Sequence, residues 1–350
     1  NAGRNRPATI TPESIRALGS FLKATEWSLI YGLNLGTGTP EQAAEEAACV
    51  AENAGNSLLA FQAGNEPDLF RGSLRGRGWN FNRYWDEYQN YVRAVRARIP
   101  QAPFAGPDVA ANTAWVRQFA ERTGKDAVLL TSHYYAMGPP ENADMNAKGL
   151  LRRDRRLVRE IPRLVATAKA SGMPYRMAEG NSCFHGGKPG VSDAFASALW
   201  AADYLLLLAQ DGCAGVNLHT GGEGFYAAFV GEKPPLTERP LFFGMEFVQR
   251  FAGATFVATD LNTGGRNVAA YAARRGDQVL LAIVNKDSVP VSIRVGGFSV
   301  PVPRLKESWT LTAPALDSRA EVRLQPDDAP DSASTLQVAE YSARLLVFDL

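Results

Sequence analysis

Two glutamates stand out by where the chain places them. Glu66 follows a buried-looking apolar run in SLLAFQAGNEP, residues 57–67, and Glu179 occupies the corresponding place in PYRMAEGNS, residues 174–182. Each run has the length of a strand and ends in turn-forming residues, so each carboxylate belongs at the carboxyl end of a strand. Pro67 lacks an N–H and biases Glu66 toward an extended backbone, which keeps that acid at a strand tip rather than inside a helix. Two carboxylates on two strand ends can flank one glycosidic bond, one as proton donor and the other as nucleophile or base. Taken singly, either glutamate reads as a loop acid that caps a helix or pairs with arginine. The two together, in one array of strands and helices, favour the chemical reading.

The elements that must position them alternate regularly. Thr11-Pro12-Glu13 opens a helix that runs to about 24, with threonine as N-cap and proline at the first helical position. Thr39-Pro40-Glu41-Gln42 opens another, with Gln42 set to complete a capping box. Helical periodicity covers 82–100, 115–124, 157–172, 192–212 and 240–253, with Pro162 interrupting the first part of the third of these. Between the helices lie apolar strands at 28–36, 58–64, 103–110, 128–136, 174–180 and 214–220. No hairpin joins them, so they are parallel strands with crossover helices.

Six strands suit an open sheet, whereas a closed (β/α)8 TIM barrel needs eight. If two βα units precede the first helix, the visible strands become the third to the eighth, and Glu66 and Glu179 end the fourth and seventh. The fold expected is therefore α/β: a (β/α)8 barrel over residues 1–253 lacking its first two strands, followed by a β-sandwich over 254–350. In that tail, DQVLLAIVNKD and VPVSIRVGG read as a hairpin pair, and LQVAEYSARLLVFDL alternates as a terminal strand. Losing two strands from a barrel bares two apolar edges. An N-terminal segment that supplies two strands is the expected partner, as a separate chain or as part of the same one.

Composition narrows the function classes. A formal net charge of +1 argues against a general polyanion-binding surface, and hence against nucleic acid. No apolar run reaches the length of a membrane span, and a secreted or periplasmic setting is expected. The three cysteines, Cys49, Cys183 and Cys213, lack metal-motif spacing and read as free thiols. His133, His185 and His219 fall near strand ends on different strands without paired spacing, so no metal is expected. Gly36-Thr37-Gly38 lacks the third glycine of a phosphate loop and reads as a plain βα turn. Arg152, Arg153, Arg155 and Arg156 form a basic run that is a solvated face or a contact for an acidic polysaccharide.

Five strings carry a more specific resemblance: GNEPDLF, GPDVA, SHYYAMGPP, AEGNSCFHGGKPGVSD and HTGGEGFY. In this order they resemble glycoside hydrolase family 79, which includes bacterial β-glucuronidases and the animal heparanases. The similarity runs from about Leu29 through the C-terminal tail. The resemblance implies a retaining exo-β-glucuronidase without a cofactor, acting on a glycoside or polysaccharide that contains glucuronic acid. It implies Glu66 as acid/base, Glu179 as nucleophile and Asn65 as partner of the sugar 2-hydroxyl. Tyr134 resembles the tyrosine beside the nucleophile, and Tyr226 with Gly186 and Gly187 resembles the group that holds the uronic carboxylate. Mature heparanase likewise pairs a short N-terminal piece with a larger chain. One departure falls at Phe184-His185, where family members read Tyr-Gly. Phe184 offers no hydroxyl, and His185 either faces solvent or pairs with the uronate. Three other readings stay open: a heparanase-like endo-enzyme, a carbohydrate-binding protein without catalysis, and a metal-dependent barrel hydrolase.

Overall fold

The computed structural model describes residues 10–220, 224–231, 233–296, 304–327 and 335–350. These form two compact units, Asn1–Tyr134 with Glu160–Glu179 and Cys213–Asn217, and Tyr135–Arg159 with Gly180–Gly212 and Leu218–Leu350.

Six parallel strands in chain order form one sheet: β1 (Leu29–Leu33), β2 (Leu58–Ala63), β3 (Phe104–Val109), β4 (Leu129–Met137), β5 (Tyr175–Cys183) and β6 (Val216–Leu218). All six strands expected from the apolar runs are present. Strands β1 to β4 pair in parallel, with Ile30 opposite Ala60, Phe61 opposite Phe104 and Ala105 opposite Leu129. The sheet is a parallel half-barrel, with β1 and β6 as its outer strands among the described residues. Helices separate the strands: α1 (Pro12–Thr25), α2 (Pro40–Ala54), α3 (Phe81–Arg98), α4 (Thr113–Thr123), α5 (Ala147–Leu150), α6 (Arg155–Ala170) and α7 (Phe195–Gln210). No helix among the described residues is long and apolar enough to cross a membrane.

Local chemistry explains the boundaries. Thr11 and Thr39 each accept a hydrogen bond from the third residue of their helix and complete capping boxes with Ser14 and Gln42. Strand β1 stops at Leu33 because Asn34 accepts from Thr37 N–H at 3.0 Å and folds Gly36-Thr37-Gly38 into a turn. Helix α6 begins where the Asp154 carboxylate accepts from the N–H groups of Arg156 and Leu157 at 2.8 and 3.2 Å, and it continues through Pro162. In the first unit an aromatic cluster of Tyr84, Tyr88, Phe104, Trp115 and Phe119 seals α3 and α4 onto the sheet.

In the second unit come β7 (Phe229–Val230), β8 (Thr237–Glu238), α8 (Pro240–Gln249), β9 (Thr255–Val257), β10 (Val268–Arg275), β11 (Gln278–Asn285), β12 (Val291–Arg294), β13 (Arg304–Thr312), β14 (Arg323–Pro326), β15 (Thr335–Val338) and β16 (Ser342–Asp349). One antiparallel sheet has the order β14-β13-β16-β11-β10-β9, and a smaller one pairs β12 with β15. Leu336 and Val338 of the small sheet share a core with Val268, Leu281, Ile283, Leu346 and Phe348 of the large one.

The pairing of this tail differs from the sequence expectation. The segment 278–285 pairs with β10 and β16, not with 291–294, whose partner is 335–338. The hairpin is made instead by Gly276-Asp277, where Gly276 has φ +59° and suits a tight turn. After β11 the Asn285 amide donates to Val289, Val338 and Ala339 carbonyls, which diverts the chain into the small sheet. The terminal run likewise divides in two, β15 and β16.

Candidate active site

The chain ends β2 in a sequence of fixed contacts. Glu66 N–H donates to Asp108 O at 2.9 Å, and Glu66 O accepts from Leu69 N–H at 2.9 Å. Pro67–Leu69 form a short 3-10 turn whose opening carbonyl accepts from Trp79 Nε1 at 2.7 Å. The Asp68 carboxylate accepts from the N–H groups of Ala110, Ala111 and Asn112 at 2.9–3.1 Å and anchors the start of α4. The GNEPD string therefore locks two strand ends together, which its short length alone does not reveal.

Glu66 is not extended. Its φ of 51° and ψ of 49° place it in the left-handed region, a correction to the expectation drawn from Pro67. Proline after Glu66 disfavours the right-handed helical region, and the chain must leave a strand and enter a turn within one residue. The left-handed conformation satisfies both demands. Asp108, at the end of β3, is also left-handed, with φ 60°. Such conformations cost on the order of 1–3 kcal/mol for a residue with a side chain and gather where function requires them.

Both strained acids converge on His133 of β4. Its Nδ1 lies 3.1 Å from Glu66 Oε1, and its Nε2 forms an ion pair with Asp108 Oδ1 at 2.8 Å. Glu179 Oε2 stands 4.0 Å from the same Nδ1. One oxygen of Glu66, one of Glu179 and a ring nitrogen of His133 all fall within 4.8 Å of one another. The side chains of His133 and Asp108 are only 2% and 3% exposed, whereas those of Glu66 and Glu179 are 26% and 24% exposed. The dyad is sealed, and the two glutamates remain reachable.

Burial by itself pushes the His133 imidazolium pKa down. The Asp108 charge and hydrogen bond, helped by Glu66 and Glu179, overcome this and raise it to about 10. Burial pushes the Asp108 carboxyl up, against the lowering effect of His133. Asp108 thus favours a protonated His133 ring. Glu66, His133 and Glu179 are the one group of three metal-ligating side chains among the described residues.

Behind this group, Asp108 N–H donates to Thr131 Oγ1 at 3.1 Å, and Thr131 donates to Gln62 at 2.8 Å. On β5, Tyr175 shares a 2.6 Å hydrogen bond with Ser132 of β4. These buried contacts set the strand ends that carry the acids. Asn65 is exposed beside Glu66, and Tyr134 is half-buried next to His133.

A second polar group lies wholly within the second unit. His219 Nδ1 meets the hydroxyls of Tyr135 at 2.7 Å and Tyr226 at 3.1 Å. Asn181, two residues beyond Glu179 in the chain, donates to the carbonyls of His219 and Tyr226 at 2.9 and 3.3 Å. Gly186 O accepts from Phe225 N–H at 2.6 Å, and a Cβ on Gly187 would stand 2.8 Å from Tyr226 N. Gly186, Gly187 and Tyr226 are thereby brought together. Residues 221–223 of the HTGGEGFY string lie outside the described residues.

Phe184 packs against Gly138, where a Cβ would come within 2.2 Å of its ring. His185 is exposed, left-handed at φ 59°, and edge-on to Phe184 with ring centroids 4.8 Å apart. Arg152, Arg153, Arg155 and Arg156 are exposed around the start of α6. His133 and His219 were legible as residues near strand ends. What spacing could not show is that Asp108 and His133 form a buried pair behind Glu66.

No protein-family model matches the chain. A β-glucuronidase from Aspergillus niger is 25% identical over 228 residues, 57% of this chain and 42% of that protein. A β-glucuronidase from Neurospora crassa is 27% identical over 254 residues, 63% of this chain and 44% of that protein. The aligned region is thus less than half the length of either curated relative. Among solved structures, a 4-O-α-L-rhamnosyl-β-D-glucuronidase from Fusarium oxysporum matches all of this chain and 82% of its own, with TM-score 0.74 and 20% identity. An α-L-arabinofuranosidase from Thermotoga maritima matches 95% of this chain and 78% of its own, with TM-score 0.71 and 16% identity. The chain shares its fold with solved glycosidases.

Proposed function

We propose that the chain is the catalytic part of a retaining β-glucuronidase of the family 79 type. The observation that carries this reading is a pair of glutamates with carboxylate oxygens within 4.8 Å of each other, Glu66 just past the end of β2 and Glu179 within β5, which runs on to Cys183 instead of ending at the acid. Retaining glycosidases hold their carboxyl groups about 5–5.5 Å apart, whereas inverting ones leave room for a water at about 6.5–9.5 Å. The names of the two fungal relatives and of the Fusarium structure support glucuronide as the substrate class.

In this mechanism Glu179 attacks the anomeric carbon and Glu66 donates a proton to the leaving oxygen. Glu66 then takes a proton from the water that releases the sugar. The His133 imidazolium holds one Glu66 oxygen and leaves the other for the leaving group. It also faces the negative charge that forms on Glu66 when the proton departs, which is where a fixed positive charge helps a transition state. Asn65 is assigned to the sugar 2-hydroxyl and Tyr134 to the surroundings of Glu179. Gly186, Gly187 and Tyr226 are assigned to the uronic carboxylate. No cofactor or metal enters the reaction.

A closed eight-stranded barrel would add two strands to the six-stranded order that has β1 and β6 outermost among the described residues. A segment that supplies them, and the reading of the strand-rich tail as a β-sandwich, belong to this proposal. An exo-acting enzyme is favoured over a heparanase-like endo-enzyme because the net charge of +1 gives little general attraction to a sulfated polymer. The test is a screen of nitrophenyl β-glucuronide, β-glucoside and β-galacturonide with the complete protein that carries this chain, and with Glu179→Ala as control. Turnover of the glucuronide alone supports the reading; turnover of the glucoside in its place removes it.

A further inference from the structure

Asn181, Ser182 and Ser192 are polar side chains of the second unit, and each is at most 1% exposed. They form one chain of hydrogen bonds. The Asn181 amide donates to the carbonyls of His219 and Tyr226 at 2.9 and 3.3 Å. Its side-chain oxygen accepts from Ser182 N–H at 2.7 Å, and Ser182 Oγ donates to Ser192 Oγ at 2.8 Å. Ser192 Oγ also accepts from Lys188 N–H at 2.9 Å, while Ser192 N–H donates to Lys188 O at 2.8 Å. The chain of bonds therefore begins on the segment of Tyr226 and ends on the turn that follows Gly186-Gly187. A Cβ on Gly187 would stand 2.9 Å from Ser192 Cβ and 3.1 Å from its Oγ, so the serine backs that turn directly.

We infer that Asn181 is a positioning residue for the uronic carboxylate: through Ser182 and Ser192 it fixes how far Tyr226 stands from the Gly186-Gly187 turn. The inference rests on the carboxylate assignment made under the proposed function. Asn181 is wholly buried and acts through the residues that it holds, not on the substrate.

Burial makes this chain of bonds exacting. Its amide and hydroxyl groups have given up water, and any shift that breaks one contact leaves a desolvated group unpaired. The hydrogen bond from Phe225 N–H to Gly186 O, at 2.6 Å, joins the same two segments a second time, so neither moves alone. The consequence is selective for the group on C6. A carboxylate engages donors with two oxygens at once, whereas a hydroxymethyl group has a single oxygen to place. A change in the spacing of Tyr226 and the turn therefore weakens a uronate more than the hydroxymethyl sugar of the same ring. Glu66 and Glu179 are not members of the chain of bonds, so binding suffers before the chemical step does.

The test uses the complete protein with an aryl β-glucuronide as substrate and two competitive inhibitors, a glucuronic iminosugar and its hydroxymethyl counterpart. Asn181→Asp keeps the shape of the side chain but sets an acceptor against two carbonyls. It should raise KM and the inhibition constant of the uronic inhibitor about tenfold, with kcat within about threefold of wild type. The inhibition constant of the hydroxymethyl inhibitor should move less than about threefold. Ser192→Ala, which removes the acceptor for Lys188 N–H, should act in the same direction and serves if Asn181→Asp does not fold. Equal weakening of both inhibitors, or a loss confined to kcat, overturns the inference and spares the functional reading. An unchanged KM does the same, as does failure of both variants to fold, since the three side chains would then be structural alone. Wild type that binds the two inhibitors equally removes the carboxylate assignment and the inference with it. Wild type that turns over no glucuronide removes the functional reading as well.

Discussion

His133 Nδ1 lies 3.1 Å from Glu66 Oε1, with the rest of the imidazole sealed from solvent and paired to Asp108. A buried cation thus stands directly behind the residue assigned as proton donor. Removing it leaves Asp108 buried without its charge partner and Glu66 without its anchor. His133→Gln should reduce kcat on an aryl glucuronide by about 10²-fold, a loss typical of one fixed transition-state donor. KM should move much less, and a profile of kcat against pH should shift. A loss confined to KM would contradict the positioning role.

The same contact makes stability depend on pH. A free histidine titrates near 6.5, and the folded pKa is raised to about 10. The stabilisation is complete below about pH 6.5 and declines as pH rises toward 10, because only the folded state keeps the proton there. Melting temperatures of the wild type and His133→Gln should therefore be farthest apart at acidic pH and converge toward pH 10. A gap that widens with rising pH would contradict a buried imidazolium.

Glu66 and Glu179 should fail differently. Glu179→Gln should abolish turnover of every substrate. Glu66→Ala should retain far more activity on aryl glycosides with good leaving groups, which need little protonation, than on alkyl glycosides. Equal losses on both would remove Glu66 from the acid role.

Gly187 has φ 86°, and a Cβ there would stand 2.8 Å from Tyr226 N and 2.9 Å from Ser192 Cβ. Gly187→Ala should destabilise the protein by about 1–3 kcal/mol through strain and crowding. It should also raise KM for glucuronide more than it lowers kcat, since the turn is assigned to the carboxylate. Urea denaturation and initial rates measure the two effects.

Much of this was legible in the chain. Apolar runs located the six parallel strands of the described residues, and the breakers after 63 marked where Glu66 would stand, whereas β5 runs through Gly180 to Cys183 and carries Glu179 in its middle. The left-handed Glu66 was not legible. Pro67 disfavours one region of backbone space, and only the hydrogen bonds to Asp108 and Leu69 decide between those that remain. The Asp108–His133 pair was hidden for another reason. It joins the end of β3 to the middle of β4 across a helix and a loop, and no sequence spacing records such a contact. In the tail, alternation identified strands but not their partners, which the Gly276-Asp277 turn and the Asn285 amide determine.

A chelator tests the cationic reading of His133 from another side. Prolonged EDTA treatment and dialysis should leave kcat/KM within twofold of the untreated protein. Loss restored by a divalent metal would show that Glu66, His133 and Glu179 act as ligands, with His133 neutral.

The stereochemistry of the first-formed product tests the central claim most directly. Proton NMR of an aryl β-glucuronide during early turnover distinguishes the anomers before mutarotation mixes them. Carboxylate oxygens within 4.8 Å of each other favour the close spacing of a nucleophile and its acid/base over the wider spacing that admits an attacking water. The account predicts β-glucuronic acid first. An initial α-anomer would mean direct displacement by water and would contradict Glu179 as the nucleophile.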